Sequence, residues 1–308
     1  MENSRFLQKN GITIRRIARD LLALSEGDSM TTISEYEKTF SCSRWTIQRA
    51  IQFLLNNQCM NIEKRGPKGT FVYDLNHDLL YEHADWKPLL GLAPIPSSLI
   101  HGALFTGFAE AINHTNLPLN LGFMVPASVR FALLSNGRCH FIVTSRLASK
   151  IYAEKYPNIS VALELEGARY CTPYRLCTMR GDIESIEDGL CVGIYDAAIE
   201  QSYITELLCK GKKVTRKHEN YHNCLKMLAN GEIDVLVQRG DIVEDPLPAC
   251  FSISISIPEL DSDVITPVIL VNSDNYGMAR LLESAIDTKI IADVQSSVIS
   301  GNRRVSYY

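Results

Sequence analysis

The sequence has 308 residues, of which 46% are hydrophobic and 21% charged, the proportions of an ordinary globular protein. No apolar run reaches the roughly 18 residues that a membrane-spanning helix needs, and the N-terminus lacks the positive start and apolar core of a signal peptide. The nine cysteines are irregularly spaced, which is typical of reduced thiols, so we expect a cytoplasmic protein of two or three compact units.

Charge is unevenly distributed along the chain. Residues 1–73 contain 11 Lys and Arg against 7 Asp and Glu, whereas the remaining residues contain 20 against 28. A basic N-terminal part on an acidic body is typical of a protein whose first unit binds a polyanion, although a difference of this size also occurs without function.

Apolar residues at helical spacing predict three helices within the first 60 residues, the first from Thr13 and the last capped by the hydroxyl of Ser43. Gly27 follows the first helix, and the segment 41–43 forms a tight turn between the second and third. Two helices joined by so short a turn form a helix-turn-helix, whose second helix enters the major groove of DNA. The residues expected to face the core are Ile14, Ile17, Ala18, Leu21, Leu22, Ile33, Tyr36, Phe40, Ile47, Ala50, Ile51, Leu54 and Leu55.

The outward stripe of the third helix carries the residue types that read DNA. No acidic residue occurs from 42 to 57, whereas a merely solvated helix face commonly pairs Glu with Lys one turn apart. Arg can bind phosphate or guanine, Gln can pair with adenine, and Thr can contact a thymine methyl group. Arg49 is expected nearer the DNA backbone, and Trp45 either contacts a thymine methyl or packs against the wing. The predicted contacts are Ser43, Arg44, Trp45, Thr46, Gln48 and Arg49.

Two short extended runs, 60–62 and 70–73, flank a glycine-rich turn and predict a hairpin that forms a wing beside the recognition helix. A basic glycine-rich tip is also compatible with a simple solvated turn, but the preceding helix-turn-helix favours a wing that contacts DNA. The predicted contacts at its tip are Lys64, Arg65, Lys68 and Gly69.

Residues 26–72 resemble the winged helix of GntR-type transcription regulators. The shared pattern is a Gly-Asp start, then Ser-Arg-x-Thr-aliphatic-x-x-Ala at the recognition helix, then Gly-Thr-Phe-Val at the end of the wing. The resemblance implies that Arg44 contacts DNA backbone and bases. The chain departs from the family in having Gln48 where Arg is common, Trp45 where a bulky residue is unusual, and residues 32–34 in place of a Ser-Glu-Arg triplet. These departures imply an operator different from the familiar one.

The rest of the chain alternates strand and helix twice, over 87–144 and 190–238, which predicts parallel sheets covered by helices. Residues 129–145 and 223–239 form a weak repeat, and residues 265–287 add a strand and a closing helix. Two α/β lobes with a return segment resemble the type II periplasmic-binding-protein fold, and the whole chain resembles the YhfZ-type branch of GntR-like regulators. We predict an α+β winged helix-turn-helix over 1–75, a linker over 76–86, and a two-lobed α/β effector-binding domain over 87–308.

A ligand of such lobes is expected in the cleft between them, beyond the carboxyl ends of the strands. Hydroxyl groups there could donate to a carboxylate or phosphate, an Arg could pair with the same anion, and an Asp could hold an amine. Each residue taken singly is more commonly a turn or helix cap, but together they favour a small, polar, anionic effector. The predicted ligand-binding residues are Ser97, Ser98, Ser128, Thr144, Ser145, Arg146, Asp196 and Asp241.

The sequence therefore favours a DNA-binding transcriptional regulator, a homodimer on a pseudo-palindromic operator, with a small-molecule effector and neither metal nor cofactor. It contains no common motif of nucleotide-binding proteins, serine hydrolases or zinc proteases, so we do not expect an enzyme. Two alternatives stay open: an enzyme on the same fold whose N-terminal unit is an interaction module, and a constitutive regulator whose cleft binds nothing.

Overall fold

A computed structural model of the chain describes residues 9–86, 88–115, 117–241 and 250–306. In those ranges, an N-terminal unit of helices and one hairpin precedes two α/β lobes. The helices are α1 (Lys9–Leu21), α2 (Ile33–Phe40), α3 (Arg44–Asn56), α4 (His77–Ala84), α5 (Leu99–Asn113), α6 (Ala127–Ser135), α7 (Arg146–Tyr152), α8 (Ile199–Leu208), α9 (Tyr221–Ala229), α10 (Pro258–Ile265), α11 (Met278–Ala285) and α12 (Thr288–Ile299). The strands are β1 (Asn61–Lys64), β2 (Thr70–Tyr73), β3 (Leu89–Ala93), β4 (Leu119–Phe123), β5 (Phe141–Ser145), β6 (Ile159–Glu164), β7 (Tyr174–Thr178), β8 (Cys191–Ile194), β9 (Thr215–His218), β10 (Val235–Arg239), β11 (Phe251–Ser254) and β12 (Pro267–Asn272).

The N-terminal unit confirms the three predicted helices and the hairpin. Thr32 and Glu35 form a capping box at the start of α2, and Ser41, with φ 51, ends that helix in the left-handed conformation. The short turn to α3 follows directly from these two local signals. Ile47 and Leu54 of α3 are fully buried, as their spacing predicts.

The segment expected to be a linker, 76–86, contains the helix α4. Asn76 caps this helix by accepting a hydrogen bond from the Leu79 N–H. Leu80, Tyr81 and Ala84 are buried, and α4 packs against α1. The segment therefore belongs to the packed N-terminal unit, because α1 covers its apolar face. The sequence of the segment alone does not show this contact. The predicted domain boundaries stay a prediction.

The two lobes are built on five-stranded sheets of the same design. The strand order is β4-β3-β5-β12-β6 in lobe 1 and β11-β7-β10-β8-β9 in lobe 2. In each sheet one strand, β12 or β7, runs antiparallel to both of its neighbours. The predicted parallel sheets are thus mixed, because the chain crosses between the lobes twice and each crossing strand enters against the direction of the others. The two-lobed α/β fold is confirmed.

The N-terminal unit docks on lobe 1 through the end of α1. The carboxylate of Asp20, fully buried, accepts hydrogen bonds from Thr31 Oγ1 at 2.8 Å and Tyr36 Oη at 2.6 Å within the unit. On the lobe 1 side it accepts from Tyr276 Oη at 3.3 Å and from Arg280 Nη1. Both carboxylate oxygens are therefore fully satisfied, half by each side of the junction.

Arg19 reinforces the same junction. Its guanidinium lies 4.7 Å from the ring centroid of the buried Trp86 and donates to the Ala84 carbonyl at 2.9 Å and to Asn275 Oδ1 at 2.8 Å. Gly277, with φ +84, leaves the room that Arg19 needs, since a Cβ there would lie 3.2 Å from the Arg19 carbonyl oxygen. Charge, hydrogen bonding and close packing together hold α1 on lobe 1.

Candidate DNA-binding surface and interlobe cleft

The first turn of α3 presents the predicted recognition residues on one surface. Ser43 caps the helix by accepting a hydrogen bond from the Thr46 N–H at 3.3 Å, and its hydroxyl lies 3.0 Å from that of Thr46. Arg44, Trp45 and Gln48 are exposed, and Thr46 is half-buried. The cap fixes where the helix starts, and the start decides which side chains face outward.

Trp45 and Arg49 form a stack on this surface. The indole is 61% exposed, and the Arg49 guanidinium carbon lies 4.6 Å from the ring centroid. The ring contact that the structure shows for Trp45 is thus with Arg49, one turn further along α3, rather than with the wing. The structure places the Trp45 ring on the outward face of α3. This position is compatible with the first of its two expected roles, contact with a thymine methyl group.

The wing is a regular antiparallel hairpin in which Lys64 pairs with Thr70 across a short 3₁₀ turn. Gly69, with φ +101, has a backbone conformation that glycine favours. Arg65 folds back: its Nη2 donates to Glu63 Oε2 at 2.8 Å and to Tyr73 Oη at 2.7 Å. Lys64 and Lys68 are exposed. Among the three predicted basic contacts, Arg65 already has a carboxylate partner within the wing.

The interlobe cleft brings together three of the predicted ligand-binding residues. Ser97 accepts a hydrogen bond from Arg239 Nη2 at 3.0 Å, and Ser145 donates to Glu200 Oε1 across the lobes. Asp241 Oδ1 lies 3.5 Å from Arg239 Nε and accepts from the Thr172 N–H at 3.4 Å.

The other predicted ligand-binding residues lie elsewhere. Ser98 caps α5, and Asp196 is exposed and pairs with His218 at 2.9 Å. Ser128 lies half-buried in the first turn of α6, and Thr144 is buried on the opposite face of β5 from Ser145.

Arg146 is occupied by ion pairs with the end of β6 and with α10. Its three guanidinium nitrogens donate to Asp263 at 2.7 Å, to Glu164 at 2.9 Å and to Ser262 at 2.5 Å. This arrangement neutralises the charge of Arg146 and leaves none of these nitrogens without a partner, so we omit it from the candidate site.

Four charged or titratable residues of the cleft escape prediction from the sequence: His101, Arg130, Glu200 and Arg239. Arg239 Nη1 donates to His101 Nε2 at 3.0 Å, which places the imidazole proton on Nδ1. Burial, and next the charge of Arg239, hold the pKa of His101 well below its ordinary value. Burial raises the pKa of Glu200, while the Ser145 hydrogen bond, Arg239 and Arg130 partly offset that rise. A charge within an apolar helix, as in "VRFALL", is the one sequence signal that could have indicated Arg130.

Two charged groups of the cleft are buried with an unpaired atom. Arg130 is 2% exposed and bonds the Met124 carbonyl through Nη1, but its Nε has no hydrogen-bond partner among the described residues. Asp241 is 8% exposed, and its Oδ2 has no partner within the ranges that the structure describes. One is a cationic donor of lobe 1 and the other an anionic acceptor of lobe 2. An anionic oxygen would satisfy the unpaired donor of Arg130, and a hydrogen-bond donor would satisfy the unpaired acceptor of Asp241.

Metal binding and membrane insertion find no supporting feature in the ranges that the structure describes. No group of three or more His, Cys, Asp and Glu side chains is placed to hold a metal ion. No helix there is both long and apolar enough to cross a bilayer.

Comparisons with known proteins divide the chain just before α4, whereas packing places α4 with the N-terminal unit. Residues 25–72 match a helix-turn-helix domain family, and residues 76–307 match the YhfZ C-terminal domain family. The uncharacterized protein YhfZ of Escherichia coli (strain K12) is 25% identical over 307 residues, which cover 98% of this chain and 99% of that protein. The crystal structure of YhfZ from Shigella flexneri has a TM-score of 0.63 at 24% identity and covers 74% of this chain and 97% of that chain. A periplasmic VFT2 domain of Bordetella pertussis BvgS has a TM-score of 0.47 at 16% identity, covering 68% of this chain and 93% of that one.

Proposed function

The chain belongs to the YhfZ C-terminal domain family, and from this we propose that it is a transcription regulator that binds duplex DNA and senses a small polar metabolite between its lobes. It acts in the cytoplasm as a homodimer on a pseudo-palindromic operator. Two recognition helices then meet half-sites about one helical turn apart.

The exposed start of α3 supports the DNA-binding half of the proposal. Arg44, Gln48 and Arg49 project from a capped helix that carries no acid over 42–57. Lys64 and Lys68 extend this basic surface onto the wing, where they would contact phosphates. We propose Arg44 and Gln48 as base contacts and the wing lysines as backbone contacts.

The sensing half rests on one observation, the buried unpaired atoms of Arg130 and Asp241. An unsatisfied buried polar group costs about 1–3 kcal/mol, and more when it is charged. A ligand that pairs with both recovers that energy only when the lobes are closed around it. Ligand binding therefore favours the closed arrangement, which is the condition for an allosteric effect on DNA binding. The ligand that fits is small and polar, with an anionic group toward Arg130.

A thermal-shift screen of the full chain against amino acids, organic acids and phosphorylated sugars tests this proposal. We expect at least one compound to raise Tm in the wild type and not in Arg130→Gln, while the exposed Arg138→Gln control keeps the shift. A selected operator duplex should then change its affinity when the compound is added. A screen without any hit, or a hit that Arg130→Gln leaves intact, would contradict the assignment of the cleft. Turnover of the bound compound would instead support the alternative of an enzyme.

A further inference from the structure

The two tryptophans of the chain lie in opposite environments. Trp86 is fully buried under Arg19, whereas Trp45 is 61% exposed in the first turn of α3. The N-terminal turn of a recognition helix is the part that contacts base edges. A large apolar ring at that position covers little of its own protein, so its available surface faces the groove.

The Arg49 side chain is held by this ring and not by an acid. Its guanidinium lies 4.6 Å from the Trp45 centroid, and no ion pair joins it to another residue in the described ranges. Arg65 of the wing shows the contrast, since Glu63 and Tyr73 take its donors. Stacking restricts the Arg49 side chain and leaves its in-plane N–H groups available, so less conformational entropy is lost when they bind.

The spacing of the stack fits neighbouring base pairs. The guanidinium carbon lies 4.6 Å from the ring centroid. Successive base pairs rise by about 3.4 Å, and base pairs two steps apart by about 6.8 Å. The separation within the stack is therefore closer to that of adjacent base pairs. Guanidinium pairs with O6 and N7 of guanine, and an apolar ring contacts the methyl group of thymine. We infer that Trp45 and Arg49 act as one reading unit for a thymine beside a guanine, an inference that rests on the proposed binding of DNA.

The inference gives both residues a more specific role than the sequence does. Arg49 becomes a base contact positioned by Trp45, instead of a contact near the DNA backbone. Trp45, the residue that departs most from the GntR-type pattern, becomes a determinant of the operator sequence.

Selection of duplexes from a random-sequence library by the full-length chain tests the inference. We expect the wild type to enrich a thymine next to a guanine in each half-site. Trp45→Ala and Arg49→Ala should each lose the preference at adjacent positions. Gln52→Ala should keep both preferences, because Gln52 lies one turn beyond the stack and bonds Asn56 instead.

Base analogues in the selected duplex then separate the two contacts. Deoxyuridine removes the thymine methyl group and should weaken wild-type binding about fourfold, the effect of one buried methyl. Guanine replaced by 7-deazaguanine should weaken it about tenfold. Trp45→Ala should be insensitive to deoxyuridine, Arg49→Ala should be insensitive to 7-deazaguanine, and Trp45→Phe should keep part of both effects.

The outcomes distinguish failure of this inference from failure of the proposed DNA binding on which it rests. If the wild type enriches no sequence and binds no duplex, the proposed regulator fails. If it enriches an operator whose affinity neither analogue changes, the reading unit is overturned while DNA binding stands. Full affinity of Arg49→Lys, with no effect of 7-deazaguanine, would place Arg49 on phosphate and also overturn it. Should Trp45→Ala fail to fold, the analogue data on the wild type and Trp45→Phe decide the question.

Discussion

Two polar junctions join the parts of this molecule, and they are completed in different ways. Where α1 meets lobe 1, the buried Asp20 receives hydrogen bonds from Thr31, Tyr36, Tyr276 and Arg280. Where lobe 1 meets lobe 2, Arg130 and Asp241 each keep an atom that no described residue pairs with. The first junction satisfies its buried charge from within the protein, whereas the second leaves buried polar atoms unpaired at a cost in free energy. Under the proposed sensing function, we expect the first junction to stay intact and the second to respond to ligand.

Strand β12 connects the two junctions. Its first residue, Pro267, pairs with Ser145 at the interlobe side of lobe 1, and its last, Asn272, precedes the segment that holds Arg19. Because β12 pairs along its length with β5 and β6, we expect lobe 1 and the N-terminal unit to move together.

The largest expected effect is on stability at the first junction. Asp20→Asn removes the buried charge and replaces one acceptor oxygen with an NH2 group, which then faces either the Thr31 and Tyr36 hydroxyls or Tyr276 and Arg280, so it should lower the free energy of unfolding by about 3 kcal/mol. That value is the lower end for a buried pair because Arg280 is half-exposed and stays partly hydrated. Urea unfolding followed by tryptophan fluorescence measures it, with the exposed Asp293→Asn as control. A loss below about 1 kcal/mol would break the comparison.

The proposed DNA-binding surface lies outside both junctions, so changes to it should affect binding and not folding. Arg44→Ala should weaken operator binding by about 1–3 kcal/mol while leaving Tm unchanged. A gel-shift titration on the selected duplex measures the affinity. Unchanged affinity would remove Arg44 from the contact set, and a lower Tm would show that the surface is coupled to the packing beneath it.

Acid should loosen the second junction through His101. Its pKa is depressed in the folded protein, so the unfolded chain binds the proton first, and stability is complete above about pH 6.5 and decreases below it. We expect a loss approaching about 1.4 kcal/mol per pH unit below that point. The pKa of Glu200 is raised above 4.5, so the stability that this carboxyl contributes is present at low pH and is lost as the pH rises through its folded-state pKa.

His101→Gln isolates the contribution of the imidazole, because Gln can still accept a hydrogen bond from Arg239 but does not titrate. Urea unfolding between pH 5 and pH 7 should show a flatter pH dependence in this variant. An identical dependence in both proteins would assign the acid sensitivity to another group.

The smallest expected effect is the matched change at the second junction. Asp241→Asn should lower the free energy of unfolding by less than Asp20→Asn does, because Asn keeps an oxygen acceptor for the Thr172 N–H and Arg239 keeps its hydrogen bonds to Ser97 and His101. The variant should nevertheless lose any ligand-induced rise in Tm. A destabilisation equal to that of Asp20→Asn would show that the two junctions are alike after all.

The candidate site was only partly predictable from the sequence. Ser97, Ser145 and Asp241 follow strands or precede helices, so their places in the chain indicate a cleft. Arg146 occupies a similar place but pairs with Asp263, which lies 117 residues further along the chain. Arg130 lies inside a helix of lobe 1, and its charge acts on Glu200 of lobe 2, which is 70 residues further along the chain. No local pattern separates these cases.

The sequence by itself determined the elements whose causes are local. Caps at Thr32 and Ser43, apolar periodicity in α1 and α3, and the glycine-rich wing turn each act within a few residues, so the N-terminal unit follows from them. Tertiary structure alone decided the docking of α1 on lobe 1, the helical state of the expected linker, the antiparallel crossing strands and the charges that share the cleft. These depend on contacts between residues up to about 260 positions apart, as between Asp20 and Arg280, and on burial that no single segment produces.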